Sequence, residues 1–261
     1  METQTATDIN TVKSTNAEYG EPVIEVAHLK KSFGKNRVLT DFNLTINKGE
    51  NVVVLGKSGC GKSVLIKCIV GLIKYNGGSL KVFGKEISSI EPHELDELRA
   101  RIGFVFQSSA LYDSMTVKEN LAFALRRHGR HKTKEEMKQL VEEALNNVGL
   151  LNVINTMPSE LSGGMKKRIG LARALVMKPD IVLYDEPTTG LDPITAEEIS
   201  NLMLQMQKKY NSSSIIISHD MHCAKILANR LTVMIDGINY AEGTFDYLKQ
   251  LEDPKVHSFF K

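Results

Sequence analysis

The stretch Gly56-Lys57-Ser58-Gly59-Cys60-Gly61-Lys62-Ser63 satisfies the phosphate-loop pattern G-x-x-x-x-G-K-[ST] without a mismatch. No other segment constrains the fold as tightly, because such a loop works only between a buried strand and a helix. Asn51-Val52-Val53-Val54-Leu55 reads as the strand, and Val64-Leu65-Ile66 begins the helix. Glycines at 56, 59 and 61 let backbone N–H groups turn inward and form an anion nest at the helix N-terminus. Lys62 supplies a point charge for β- and γ-phosphates, and the Ser63 hydroxyl is a magnesium ligand. The alternative, a chance glycine-rich turn, does not account for the strand before and the helix after. Cys60 lies within the nest, where N–H dipoles and Lys62 are expected to favour its thiolate. The loop predicts a nucleoside triphosphate site.

Composition excludes several other classes. Lys and Arg number 33 against 31 Asp and Glu, a formal charge of +2 that is too balanced for a nucleic-acid partner. The length of 261 residues suits one large α/β domain. No apolar run approaches the ~18 residues that a spanning helix needs. Residues 1–21 are polar, lack the apolar segment of a signal peptide, and are expected to form a disordered tail. Three cysteines without metal-ligand spacing fit a reducing compartment, the cytosol.

Along the chain, Val23 to Leu29 and Phe42 to Ile46 alternate apolar with polar residues, as strands with one exposed face do. Lys31-Ser32-Phe33-Gly34 reads as a turn that presents an aromatic ring, and Gly77-Gly78 as another turn. Pro92 starts a helix, and Ile102 to Phe106 is a strand that ends on Gln107. Three helical patterns then follow with no strand among them, over 116–128, 134–148 and 165–177. They predict a helical subdomain inserted into the α/β core, which resumes as strand, helix, strand, helix from Asp180 to Ala228. That alternation implies a parallel sheet.

The strand Ile181-Val182-Leu183-Tyr184 is nearly all apolar and ends in Asp185-Glu186. Such strands lie in parallel sheets covered on both faces, and ligands bind at their C-terminal ends. Asp185 is then a magnesium ligand beside Ser63, and Glu186 polarises the attacking water; elsewhere an Asp-Glu pair is usually a solvated turn. Ile215-Ile216-Ile217-Ser218 leads in the same way to His219, which is placed to sense a γ-phosphate, although a lone His at a strand end is more often structural. Gln107, at another strand tip, is placed to reach the magnesium or the water. Phe33 either stacks on a nucleobase or is a half-buried strand-edge aromatic. Leu161-Ser162-Gly163-Gly164-Met165 forms a second anion nest at a helix start. Capping explains the Ser but not the Gly-Gly, and one nucleotide does not need two nests from one domain. The economical reading is a dimer in which this nest closes over the nucleotide held by the partner's phosphate loop.

Over about Pro22 to Gly243 the chain resembles an ATP-binding cassette (ABC) transporter ATPase. Phe33 matches the adenine-stacking loop, Gly56 to Ser63 Walker A, Gln107 the Q-loop and Leu161 to Met165 the signature. Asp185 and Glu186 match Walker B, Leu191-Asp192 the D-loop and His219 the switch. The resemblance implies ATP and Mg²⁺ as cofactors and an α/β fold with a mainly parallel core sheet, an antiparallel β portion and the helical subdomain at about 108–178. The cassette would span 22–252, with a C-terminal helical tail at 253–261. It also implies two membrane permease subunits, docked on the region from Ser108 to Leu125, and a place on the cytoplasmic face of the inner membrane.

Met165 with Lys166-Lys167-Arg168, Phe106 to Tyr112, and Asp253 to Phe260 are similar to the ATPase of MCE-associated lipid transporters, the Mla phospholipid type of Gram-negative envelopes. That likeness adds a periplasmic MCE-type lipid-binding subunit and a small regulatory subunit as partners. An importer ATPase for another substrate stays open. So does a soluble ABC ATPase of the iron–sulfur assembly type, whose signature usually carries Glu where this chain has Met165. In the tail, Val256, Phe259 and Phe260 fall on one helical face, to be covered either by the chain's own core or by a partner.

Overall fold

The structure is a computed structural model that describes residues 19–128 and 132–260. The tail expected over 1–21 lies outside the described residues except for Tyr19–Glu21. Among the described residues ten strands form one sheet: β1 Pro22–Phe33, β2 Asn36–Asn47, β3 Asn51–Leu55, β4 Gly77–Val82, β5 Lys85–Glu86, β6 Ile102–Val105, β7 Ile181–Asp185, β8 Ser213–Ser218, β9 Arg230–Ile235 and β10 Ile238–Gly243. Their spatial order is β5-β4-β1-β2-β10-β9-β3-β8-β7-β6. From β9 to β6 every neighbour is parallel; β1, β2, β4 and β5 pair antiparallel, and β10 pairs antiparallel with β9.

The parallel strands are apolar on both faces because both faces are covered. Val53, Leu55, Val182, Tyr184 and Ile216 face one core, and Val52, Val54, Ile181, Leu183, Ile215 and Ile217 face the other. The first core is roofed by α3 Val117–His128, α4 Lys134–Asn147, α5 Gly163–Leu175, α6 Pro193–Tyr210 and α7 Met221–Leu227. The second is closed by α1 Lys62–Ile69 and α2 Pro92–Ala100 together with β1, β2 and β4. Among the described residues between β6 and β7 every regular element is helical. There α4 opens on a capping box, in which the Thr133 hydroxyl accepts from Glu136 N–H and Glu136 accepts from Thr133 N–H.

Two expected turns are strand. Lys31 to Phe33 continue β1, pairing out to Phe33↔Asn36, and the reversal sits at Gly34-Lys35, where Gly34 takes φ +58°. Gly77-Gly78 open β4. A Cβ on Gly78 would stand 2.3 Å from the His28 carbonyl oxygen, so glycine serves close strand approach there, not reversal. The segment Arg230 to Gly243, unassigned from sequence, supplies β9 and β10. Arg230 is buried and bidentate on Glu50, at 2.7 and 2.9 Å, and it also reaches Glu242. That network ties β9 and β10 to the turn before β3.

The tail packs on the chain's own core. The helices α8 Phe245–Gln250 and α9 Pro254–His257 follow β10. Asp253 caps α9 by accepting from Lys255 and Val256 N–H, and it also accepts from the Tyr240 hydroxyl at 2.8 Å. Val256 is buried, and Phe260 meets Phe245 edge-on with centroids 5.4 Å apart.

Candidate nucleotide site

The phosphate loop joins β3 to α1, and its glycines are required by geometry. Gly59 takes φ +80° and Gly61, the residue capping α1, takes φ +110°. Gly61 has no side chain with which to cap, so the first N–H groups of α1 keep their donors for an anion. A Cβ on Gly56 would lie 2.5 Å from Cys60 Sγ and 2.9 Å from the Met234 carbonyl oxygen. The buried Lys62 ammonium donates to the Gly56 and Lys57 carbonyl oxygens at 2.6 and 3.1 Å. A cavity of about 710 Å³ opens over the loop, lined by Gly56, Lys57, Ser58, Gly59, Gly61, Lys62 and Ser63. Val38, Val64, Gln107, Glu186, His219, Ser258 and Phe259 complete its walls.

Three strand ends converge there. Ser63 Oγ donates to Asp185 Oδ1 at 3.1 Å, which joins the start of α1 to the end of β7. Burial pushes the Asp185 carboxyl above its ordinary range, although the Ser63 bond opposes it. Glu186 sits at φ +52°, an uncommon conformation for a residue with a side chain. Its Oε2 lies 2.7 Å from His219 Nδ1 and accepts from the Thr189 hydroxyl at 3.1 Å. Gln107 follows β6, and its carbonyl oxygen accepts from Lys167 Nζ at 2.5 Å.

These residues fit a magnesium-bound triphosphate. An uncapped helix start, a buried ammonium and a hydroxyl–carboxylate pair are the donor set that phosphate and a hard cation require. Among the described residues, no cluster of three or more His, Cys, Asp or Glu side chains could hold a metal. Ser63 and Asp185 are the side chains that would hold such a cation.

Some expected residues lie elsewhere. Phe33 is outside the cavity lining, half exposed, with the Lys31 ammonium 4.6 Å from its ring centre. Cys60 also lies outside that lining: its thiol turns behind the loop, toward a smaller cavity of about 260 Å³ shared with Met234 and Phe259. Burial there raises the thiol above its ordinary range and outweighs the Lys62 charge, so the expected thiolate character is corrected. Ser162, Gly163, Gly164 and Asp192 form a separate surface. Ser162 Oγ caps α5 by accepting from Met165 N–H at 3.3 Å, and Asp192 caps α6 by accepting from Thr195 N–H at 3.0 Å. A Cβ on Gly164 would lie 3.1 Å from Thr195 Cγ2, so the two helix starts abut. Val38, Thr189, Lys167 and Phe259 were not anticipated. Val38 and Lys167 carry no local pattern that could have marked them.

A phosphate nest facing acids from a nearby parallel strand defines the molecule as a phosphate-loop nucleoside triphosphatase. The ABC transporter family model matches residues 39–189, and the chain belongs to that family, whose cassettes bind and hydrolyse ATP with Mg²⁺. It is 37% identical over 239 residues to the intermembrane phospholipid transport system ATP-binding protein MlaF of Haemophilus influenzae, covering 92% of this chain and 90% of the relative. It is 39% identical to the probable ribonucleotide transport ATP-binding protein Mkl of Mycobacterium tuberculosis, covering 90% of this chain but 66% of the relative's length. It is also 39% identical to the methionine import ATP-binding protein MetN 2 of Bacillus cereus, with 90% and 70% covered. Among solved structures, the dimeric post-hydrolysis state of the ATP-binding cassette MJ0796 bound to ADP and Pi aligns with TM-score 0.78 at 30% identity, covering 85% of this chain and 98% of that one. CbiO1 of Clostridium perfringens, part of the cbiONQ transporter complex, aligns with TM-score 0.80 at 27% identity, covering 92% and 99%.

Proposed function

We propose that this chain is the ATP-hydrolysing subunit of an ABC transporter that moves phospholipid at the inner membrane of a Gram-negative envelope. The observation that carries the substrate is coverage: the likeness to MlaF spans 92% of this chain and 90% of MlaF, whereas the mycobacterial and Bacillus relatives extend well beyond the match.

The site supports a division of labour. Lys62 and the loop N–H groups hold the phosphates, Ser63 and Asp185 hold the magnesium with Gln107 beside them, and Phe33, exposed outside the cavity lining, stacks on the adenine. Glu186 is held by His219 and Thr189 at 2.7 and 3.1 Å, which aims its carboxylate as a general base for the attacking water. Ser162, Gly163, Gly164 and Asp192 lie on a separate surface, and they act on the nucleotide of a second copy. The dimeric state of the MJ0796 cassette supports that arrangement.

Two permease subunits dock over the groove of about 450 Å³ that includes Phe106, Tyr112, Asn120 and Phe123. Among the described residues no helix is long and apolar enough to cross a membrane. An MCE-type lipid-binding subunit and a small regulatory subunit complete the complex. Affinity purification from detergent-solubilised membranes, with mass spectrometry and lipid analysis, tests this reading. Recovery of a permease, an MCE-type protein and phospholipid is expected. A permease with a sugar- or amino-acid-binding protein would overturn the lipid assignment, and a soluble scaffold in place of any permease would overturn the transporter reading.

A further inference from the structure

One face of α5 grips the loop that follows β6. Lys167, Gly170 and Arg173 recur at a spacing of three and lie on the same side of the helix. The Lys167 ammonium is buried and donates to the Gln107 carbonyl oxygen at 2.5 Å. Gly170 comes so close that a Cβ there would stand 3.1 Å from Ser109 Cβ. Arg173 donates from Nη1 to the Ala110 carbonyl oxygen at 2.6 Å and from Nη2 to the Ser109 carbonyl oxygen at 3.0 Å. Ser109 and Ala110 both take positive φ, +62° and +45°, a conformation that needs outside support in residues with side chains. Two cations on three carbonyl oxygens provide it. The same helix begins at Ser162, while the loop carries Gln107 into the cavity.

We infer that Lys167 is a positioning residue, which fixes the Gln107 strand exit to α5 so that Gln107 and the Ser162 end of the helix move as one body. The inference rests on the roles assigned above to Gln107 and Ser162. Its consequence is selective. Phosphate binding at Lys62 does not depend on the clasp, whereas closure of Ser162 over a partner's nucleotide with Gln107 in place does.

Two substitutions separate positioning from a merely structural role. Lys167→Met keeps the apolar stem and removes the donor; Lys167→Arg keeps a donor. In the full transporter, Lys167→Met should lower kcat by roughly tenfold, as a small misplacement of reacting groups does, while KM for ATP stays within about twofold because the phosphate loop is untouched. Lys167→Arg should recover most of that loss. Gly170→Ala should also lower kcat, by pressing on Ser109 with both cations intact, and it keeps the idea testable if Lys167→Met folds poorly. A Lys167→Met transporter with wild-type kcat would overturn the inference. So would a variant in which kcat, ATP affinity and melting temperature fall together and Arg does not rescue. Gln107→Ala and Ser162→Arg serve as the independent controls: if either variant keeps wild-type turnover, the role assigned to that residue has failed, whatever Lys167 does.

Discussion

Replacing Glu186 with Gln isolates the chemical step. The side chain is largely enclosed and held from two sides, by His219 Nδ1 at 2.7 Å and the Thr189 hydroxyl at 3.1 Å. Gln keeps the shape and the oxygen that Thr189 donates to, and it introduces no new strain at φ +52°. What is lost is the basic carboxylate. A positioned general base is worth roughly 10²- to 10⁴-fold, about 2.7–5.4 kcal/mol of barrier at 1.36 kcal/mol per decade. Lys62, Ser63 and Asp185 are untouched, so ATP affinity should stay within about threefold, since no phosphate contact is removed. The assay is phosphate release at saturating Mg-ATP beside a fluorescent-nucleotide titration, with gel filtration to follow the dimer. Turnover should collapse, binding should persist and an ATP-trapped dimer should accumulate. Turnover within a few-fold of wild type would refute the reasoning.

Two further predictions concern the rest of the molecule. Glu86 accepts hydrogen bonds from Ser79, Tyr75 and the Leu80 N–H; burial opposes its ionisation, yet together these bonds hold its carboxyl below the ordinary range. A depressed carboxyl contributes stability that is present above its unfolded pKa and is lost as pH falls through the folded one. Melting curves between about pH 6 and about pH 3 should therefore fall more steeply for wild type than for Glu86→Gln; parallel curves would contradict the assignment. The Cys60 thiol, raised by burial, should react with maleimide at least about tenfold more slowly in the folded protein than in guanidinium. Equal rates would show that it faces solvent.

The parts of the site that sequence reveals are those written in contiguous residues. Gly56 to Ser63 states its own geometry, and Asp185, Glu186, His219 and Gln107 each follow an apolar strand whose end must point toward one edge of a parallel sheet. The illegible parts are set by tertiary approach. Nothing local tells that Val38, on an antiparallel strand, packs 3.0 Å from where a Gly61 Cβ would be. Lys167 reads as one of three successive basic residues, and only the approach of the 107–110 loop buries it. The Cys60 thiol departs from the sequence expectation because the nest's polarity is local, whereas the thiol lies close against Gly56 and lines a cavity with Met234. Gly77-Gly78 resembles a turn by composition, yet the proximity of His28 in the neighbouring strand demands glycine there. The expected helix over 253–261 is shorter in the structure: α9 ends at His257, and Phe259 and Phe260 follow it outside the helix, where this chain's own core receives them.

The central claim is that each ATP is hydrolysed between two copies, one giving Lys62 and the other Ser162. Mixing two inactive variants tests it most directly. Ser162→Arg should bind ATP normally and hydrolyse none, and Lys62→Ala should neither bind productively nor hydrolyse. An equal mixture, denatured and refolded or co-expressed, forms heterodimers in half the population, each with one complete site. For independent sites in a two-fold dimer, about a quarter of wild-type hydrolysis should return. Recovery with normal ATP binding by Ser162→Arg alone is the predicted result. No recovery, together with loss of ATP binding by Ser162→Arg alone, would mean that the second nest serves its own chain and would contradict the account.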